Sequence, residues 1–312
     1  MNSISRSDRG FRSKWSYDDI QQSNPYKQWI QNNDPLIMDG APANLRNFPY
    51  AVQVFDENSA IDHKKYWRFK CTGAILETKA ILVAGFCMDL VDLNRRYAIV
   101  AGEEIFQKNI IKPLRKFIIV EKTIFHPLRR ENKHGYDVAI LKLSEELTFN
   151  DVTNKTIICP RDVEYWAQMW GKVPGQVVGW GWKNGSKCCE VRDELQVMYH
   201  DVISNHECQI RLNDRLPKEG RVKIPHCTVF CTDDSSEGYN RAYLCKSDTG
   251  VLFVVNETLY GIATWFKPEC LQNGETTRIV MYARLHRFLW DNTHENSHCA
   301  MRKIGGLRNN YD

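Results

Sequence analysis

The sequence predicts an all-β protein on three observations. Short apolar or alternating runs recur along most of the 312 residues, Gly, Pro, Asn and Asp separate them, and no long segment of 3.6-residue period interrupts them before the end. Regularly spaced runs of this kind belong to sandwiches and barrels, where each strand buries one face or both.

The elements follow in order. Residues 1–36 are polar, lack cysteine and carry scattered Trp15, Tyr17, Tyr26 and Trp29, so they read as an extension and not as a domain. From Ile37 the texture changes, and strands are expected over 51–55, 72–76, 80–84, 97–101, 116–120, 138–143, 176–179, 195–202, 252–255 and 259–264. Residues 282–290 set Leu285, Phe288 and Leu289 on one side, which predicts a short C-terminal helix. Residues 292–312 form a polar tail, leaving 37–291 as the folded domain, with no internal repeat and no low-complexity stretch.

Composition narrows the function classes. A chain that is 43% hydrophobic and 26% charged can bury a sizeable core, and no window reaches the ~18 apolar residues of a membrane span. The net charge is +4, and basic and acidic residues alternate without forming blocks, which argues against a nucleic-acid partner. Eleven cysteines without paired C-x-x-C knuckles point to disulfides and an oxidising compartment. Three glycosylation sequons, at Asn154, Asn184 and Asn256, fit the same secretory expectation. The residues after Met1 form no apolar signal core, so the expectation of export carries with it a start upstream of Met1. His294 and His298 beside Cys299 read as a solvated tail in preference to a metal site, and no cofactor is implied.

The most informative stretch is Leu244-Cys245-Lys246-Ser247-Asp248-Thr249-Gly250-Val251, which reads as a nucleophile loop whose hydroxyl belongs to threonine. Several further motifs stand in order along the chain. Ile37-Met38-Asp39-Gly40 precedes Phe48-Pro49-Tyr50; Cys71-Thr72-Gly73-Ala74-Ile75-Leu76 leads to Val83-Ala84-Gly85-Phe86-Cys87. His126-Pro127 and Tyr136-Asp137-Val138-Ala139-Ile140-Leu141-Lys142-Leu143 follow, then Val178-Gly179-Trp180-Gly181 and Gly261-Ile262-Ala263-Thr264-Trp265. This series, from about Ile37 to Trp290, resembles the trypsin and chymotrypsin family of serine proteases. The resemblance implies two packed six-stranded antiparallel β-barrels. It also implies disulfides Cys71–Cys87, Cys208–Cys231 and Cys245–Cys270, leaving Cys159, Cys188, Cys189, Cys227 and Cys299. That remainder is odd, so one thiol stays free or pairs between chains, and a disulfide-linked dimer follows from the second case.

The same resemblance sets each catalytic position against this sequence. Acyl transfer needs a hydroxyl, an imidazole to take its proton, a carboxylate to orient the imidazole and N–H donors for the oxyanion. Phe86 stands at the histidine position and cannot move a proton; as a side chain it reads as ordinary core packing. Thr249 stands at the serine position with no base supplied, and Ser247 replaces the glycine whose N–H serves the oxyanion hole. Loss of the base or nucleophile alone costs about a millionfold in turnover. Tyr243, Phe266 and Val280 fill the specificity pocket. Asp137 remains as the acid, and Thr264 with nearby backbone N–H groups is expected to hold it, because an unpaired buried charge is costly. Leu36 precedes Ile37, which excludes tryptic activation at that bond.

The expectation is therefore an inactive, insect-type serine protease homologue. It would act as an extracellular binding or regulatory protein, a cofactor or decoy in a proteolytic cascade or a carrier in immune or reproductive fluid, with other secreted proteins as partners. The alternatives are a weak atypical endopeptidase using Thr249 and a disulfide-linked assembly protein.

Overall fold

The computed structural model describes residues 40–59, 65–88, 95–103, 116–129, 136–158, 173–180, 194–214, 228–234, 250–265 and 280–284. The chain divides into two units, Met1–Pro35 and Leu36–Asp312, and every described residue lies in the second.

A first closed barrel is built from β2 (Ala51–Ser59), β3 (Lys65–Glu77), β4 (Ala80–Ala84), β5 (Tyr97–Ala101), β6 (Ile118–Phe125) and β7 (Val138–Leu143). Their order around the ring is β2-β3-β4-β7-β6-β5, every pair antiparallel. All five residues of β4, Ala-Ile-Leu-Val-Ala, are buried, so this strand is apolar on both faces and shows no alternation. Ring closure gives each of these six strands a neighbour on both sides. The charge that β2 buries at Asp56 lies opposite Arg68 in the β3 register, and Arg68 donates Nε to Oδ1 at 3.1 Å and Nη2 to Oδ2 at 2.7 Å.

The second barrel comprises β9 (Val173–Gly179), β10 (Gln196–Ile203), β11 (Val229–Asp234), β12 (Leu252–Val255), β13 (Thr258–Trp265) and β14 (Val280–Arg284). Its ring runs β9-β10-β11-β14-β13-β12 and closes where β12 pairs with β9. Two short strands join from outside: β1 (Ala41–Pro42) lies antiparallel to β10, and β8 (Ile157–Ile158) lies parallel to β13. Phe230, Phe253 and Tyr282 fill the ring with centroids 5.2–5.6 Å apart. Gly175 makes the room, since a Cβ there would overlap the Phe253 ring. The β12–β13 hairpin turns through Asn256 (φ 47°) and Glu257 (φ 62°), the left-handed pair that a tight two-residue turn requires.

The architecture is two six-stranded antiparallel barrels with one short α-helix among the described residues, α1 (Asn205–Asp214). Two expectations need correction. The helix expected over 282–290 does not begin there: 282–284 belong to β14, where Met281, Tyr282 and Ala283 are buried between β11 and β13. Sheet pairing on both sides supplies the sixth strand of the ring; residues 285–290 lie outside the described set. Second, β11 and the ten-residue α1 carried no expectation at all.

Candidate functional site

The seam between the barrels is close-packed, and it brings together the segments that flank the candidate residues. After β9, the Trp180 N–H donates to the Thr72 hydroxyl of β3 at 3.1 Å. Gly250 has φ +91° and its N–H bonds the Ala263 carbonyl at 2.9 Å. A Cβ on it would lie 3.0 Å from the Thr72 carbonyl oxygen and 3.2 Å from Cys87 Sγ. The residue following Thr249 thus rests against the disulfide that follows Phe86, and only glycine fits that approach. This disulfide joins Cys71 to Cys87; a second joins Cys208 in α1 to Cys231 in β11.

β4 ends at Ala84, and a 3-10 turn over Gly85–Cys87 carries Phe86. β7 runs antiparallel to β4 with Ala84 opposite Val138, so the turn faces the residue preceding β7, Asp137. Gly85 N–H donates to the Asp137 carbonyl at 2.9 Å, and the Phe86 N–H hydrogen-bonds the Asp137 carboxylate. The end of β4 and the start of β7 thus hold Phe86 and Asp137 beside each other. Phe86 is 61% exposed, which overturns its reading as core packing: the ring points to solvent. With the carboxylate of Asp137 and a charged side chain occupying the space behind the turn, an apolar ring finds no place there.

That charged side chain is Arg129, which sequence reasoning did not single out. It follows β6 in a turn closed by Arg129 N–H to the His126 carbonyl at 2.9 Å, and its Nε donates to Asp137 Oδ1 at 2.9 Å. Its guanidinium carbon lies 5.0 Å from the centroid of the Phe125 ring, within cation–π range. Both partners are nearly buried, with side-chain exposures of 11% and 12%. Burial raises the Asp137 carboxyl above its usual value, and the hydrogen bond and charge of Arg129, with the Phe86 N–H, offset only part of that rise. Arg129 Nη1 is buried without a hydrogen-bond partner. Thr264, the donor expected for Asp137, directs its hydroxyl to the Met281 carbonyl at 3.5 Å. The one hint of Arg129 in the sequence is Gly85, which stands where the family pattern has alanine: a Cβ there would lie 2.8 Å from both Arg129 Cδ and Asp137 Oδ1.

Other candidate residues are distributed as follows. Tyr243, Ser247, Asp248, Thr249, Phe266, Cys245, Cys270 and Asn184 lie outside the described residues, as do Cys159, Cys188, Cys189, Cys227 and Cys299. Val280 opens β14, and its side chain is outside the described set. Asn154 and Asn256 are exposed on the surface. His126 sits at the start of the Arg129 turn, its Nδ1 accepting the Leu128 N–H at 3.0 Å and its ring 4.7 Å from that of Tyr136. Among the described residues no group of three or more His, Cys, Asp or Glu side chains could hold a metal, and no helix is long and apolar enough to cross a membrane.

Known proteins place this arrangement. A venom serine protease of Bombus ignitus is 26% identical over 254 residues, covering 80% of this chain and 64% of that protein, so the chain spans just under two thirds of that relative's length. Trypsin 5G1 of Aedes aegypti is 28% identical over 245 residues, with 78% of this chain and 80% of that protein covered. Human transmembrane protease serine 5 is 27% identical over 234 residues, which span 72% of this chain and 45% of the human protein. The structure of neuropsin, a serine protease expressed in mouse brain, superposes with a TM-score of 0.59 at 17% identity, over 82% of this chain and 99% of that one. The sequence profile of the Trypsin family matches residues 37–289, so the chain belongs to the trypsin family.

Proposed function

We propose that this chain is a non-catalytic member of its family, a binding or regulatory protein built on a serine-protease scaffold. The observation that carries the reading is the state of Asp137: its side chain is held by an arginine, and the adjacent turn offers an outward-facing phenyl ring where a general base would be required. A phenyl ring neither accepts nor donates a proton, and an arginine side chain stays protonated throughout the physiological range. Thr249, Ser247 and the bulky Tyr243, Phe266 and Val280 complete the same picture from the sequence. The domain spans 37–291, between an extension of 1–36 and a tail of 292–312.

The protein works outside the cell, on other secreted proteins. Disulfides hold both barrels, the two described sequons are exposed, and one relative is a venom protease. Partner recognition then falls to the loops around the cleft, the most variable surface of a scaffold of this kind. In this reading the protein is an insect-type homologue, a cofactor or decoy in a proteolytic cascade or a carrier in immune or reproductive fluid.

The test is covalent. Purified protein exposed to a fluorophosphonate probe for serine hydrolases remains unlabelled. Stoichiometric labelling that disappears in Thr249→Ala would overturn the proposal in favour of an atypical peptidase.

A further inference from the structure

The imidazole of an active relative is more than a base: as it takes up a proton it becomes the cation on the orienting carboxylate. Here that carboxylate already has a cation. Arg129 reaches Asp137 Oδ1 at 2.9 Å from the turn after β6, and it passes through the space next to Gly85 where any other residue would carry a Cβ. The Phe125 ring lies under the guanidinium, and both charges are nearly buried. The Phe86 N–H also hydrogen-bonds the same carboxylate. A buried acid that had lost its imidazole would otherwise be left as an unpaired charge, among the more costly defects a core can hold.

We propose that Arg129, admitted by Gly85, has taken over the imidazole's place as counter-ion of Asp137, and that this replacement forms a second lock on the site independent of Phe86 and Thr249. The inference rests on the non-catalytic reading but concerns charge, not turnover. An acid neutralised by a permanent cation gives little support to an imidazolium. Restoring histidine at position 86 therefore rebuilds the shape of the dyad without its electrostatics. The lock also explains why Gly85 is glycine: alanine at that position would force the arginine out of its path.

The experiment reads protonation and requires no substrate. Phe86→His replaces an exposed side chain, so the fold tolerates it, and the introduced imidazole is titrated by NMR in the full-length protein. In this variant the introduced imidazole titrates at or below the ordinary histidine value of about 6.5. In Phe86→His combined with Arg129→Met, and in Phe86→His combined with Gly85→Ala, its proton affinity rises at least about tenfold, one pH unit. Titration a full unit above the ordinary value with Arg129 in place overturns the proposal. So does a value unchanged by either second substitution. Because no step measures hydrolysis, failure here leaves the probe experiment standing, and labelling by the probe leaves this measurement standing.

Discussion

Lowering the pH should destabilise the second barrel through one residue, His200. It lies on β10 between Gly175 of β9 and Asp234 of β11 and is 2% exposed. Its Nδ1 is 2.8 Å from the Thr232 hydroxyl, and its Nε2 is buried with no hydrogen-bond partner. Burial lowers its pKa from 6.5 to about 4, while the negative charge of Asp233, itself paired with Arg211, opposes that shift. The sign follows from proton counting. Between about pH 6.5 and about pH 4 the unfolded chain binds a proton at this site and the folded chain does not, so stability falls with falling pH across that window and levels off below it. Between about pH 7.5 and about pH 4.5 the loss from this one group is on the order of 2–3 kcal/mol. Urea denaturation at the two pH values, in wild type and in His200→Gln, isolates it, because the other titrating groups cancel in the comparison. The variant should lose on the order of 2–3 kcal/mol less than wild type on acidification. Equal losses in the two proteins would refute the assignment of His200 as a buried neutral imidazole.

Two further substitutions test the seam. Gly250→Ala forces a Cβ to 3.0 Å from the Thr72 carbonyl at a left-handed φ of +91°, so calorimetry should show a loss of about 1–3 kcal/mol. Removing Cys71–Cys87 by a double alanine substitution opens a closure of 16 residues and lowers unfolding free energy by about 3 kcal/mol, measured as a lower urea midpoint that reductant no longer moves through this bond.

Most of the barrel strands are legible because their residues announce burial. Val138–Leu143 and Ala80–Ala84 are apolar runs with nowhere to go but a core, and Asn256 marks its own hairpin turn. Illegible elements are held by something other than apolar surface. Of the described side chains of α1, Cys208 is the buried one; the helix is tied down by the Cys208–Cys231 disulfide and by Arg211, which pairs with Asp233 on β11 and with Glu207 one turn back. Those side chains form no apolar stripe for a period to reveal. A local signal was present nonetheless, since Ser204 followed by Glu207 is a capping box, and the Ser204 hydroxyl accepts the Glu207 N–H at 3.1 Å. β11 hides for a related reason: its Thr232 and Asp233 are polar yet buried, with His200 at the Thr232 hydroxyl and Arg211 bonded to Asp233 Oδ2 from neighbouring elements.

The candidate site divides in the same way. Phe86 and Asp137 could be found by motif, because β4 and β7 fix their backbones. The direction of the Phe86 ring and the identity of the cation on Asp137 could not, because Arg129 arrives from a different turn and nothing in its own neighbourhood marks it. A glycine in place of alanine at position 85 was the single trace, and it acquires meaning only when the arginine passing beside it is known.

Whether this scaffold cleaves peptide bonds is the deciding question. The direct measurement is to incubate the purified protein with a complex peptide mixture and count new peptide termini by mass spectrometry, beside Thr249→Ala. A non-catalytic protein leaves indistinguishable termini in the two incubations. A set of cleavages made by the wild type and absent from Thr249→Ala would establish a working peptidase instead.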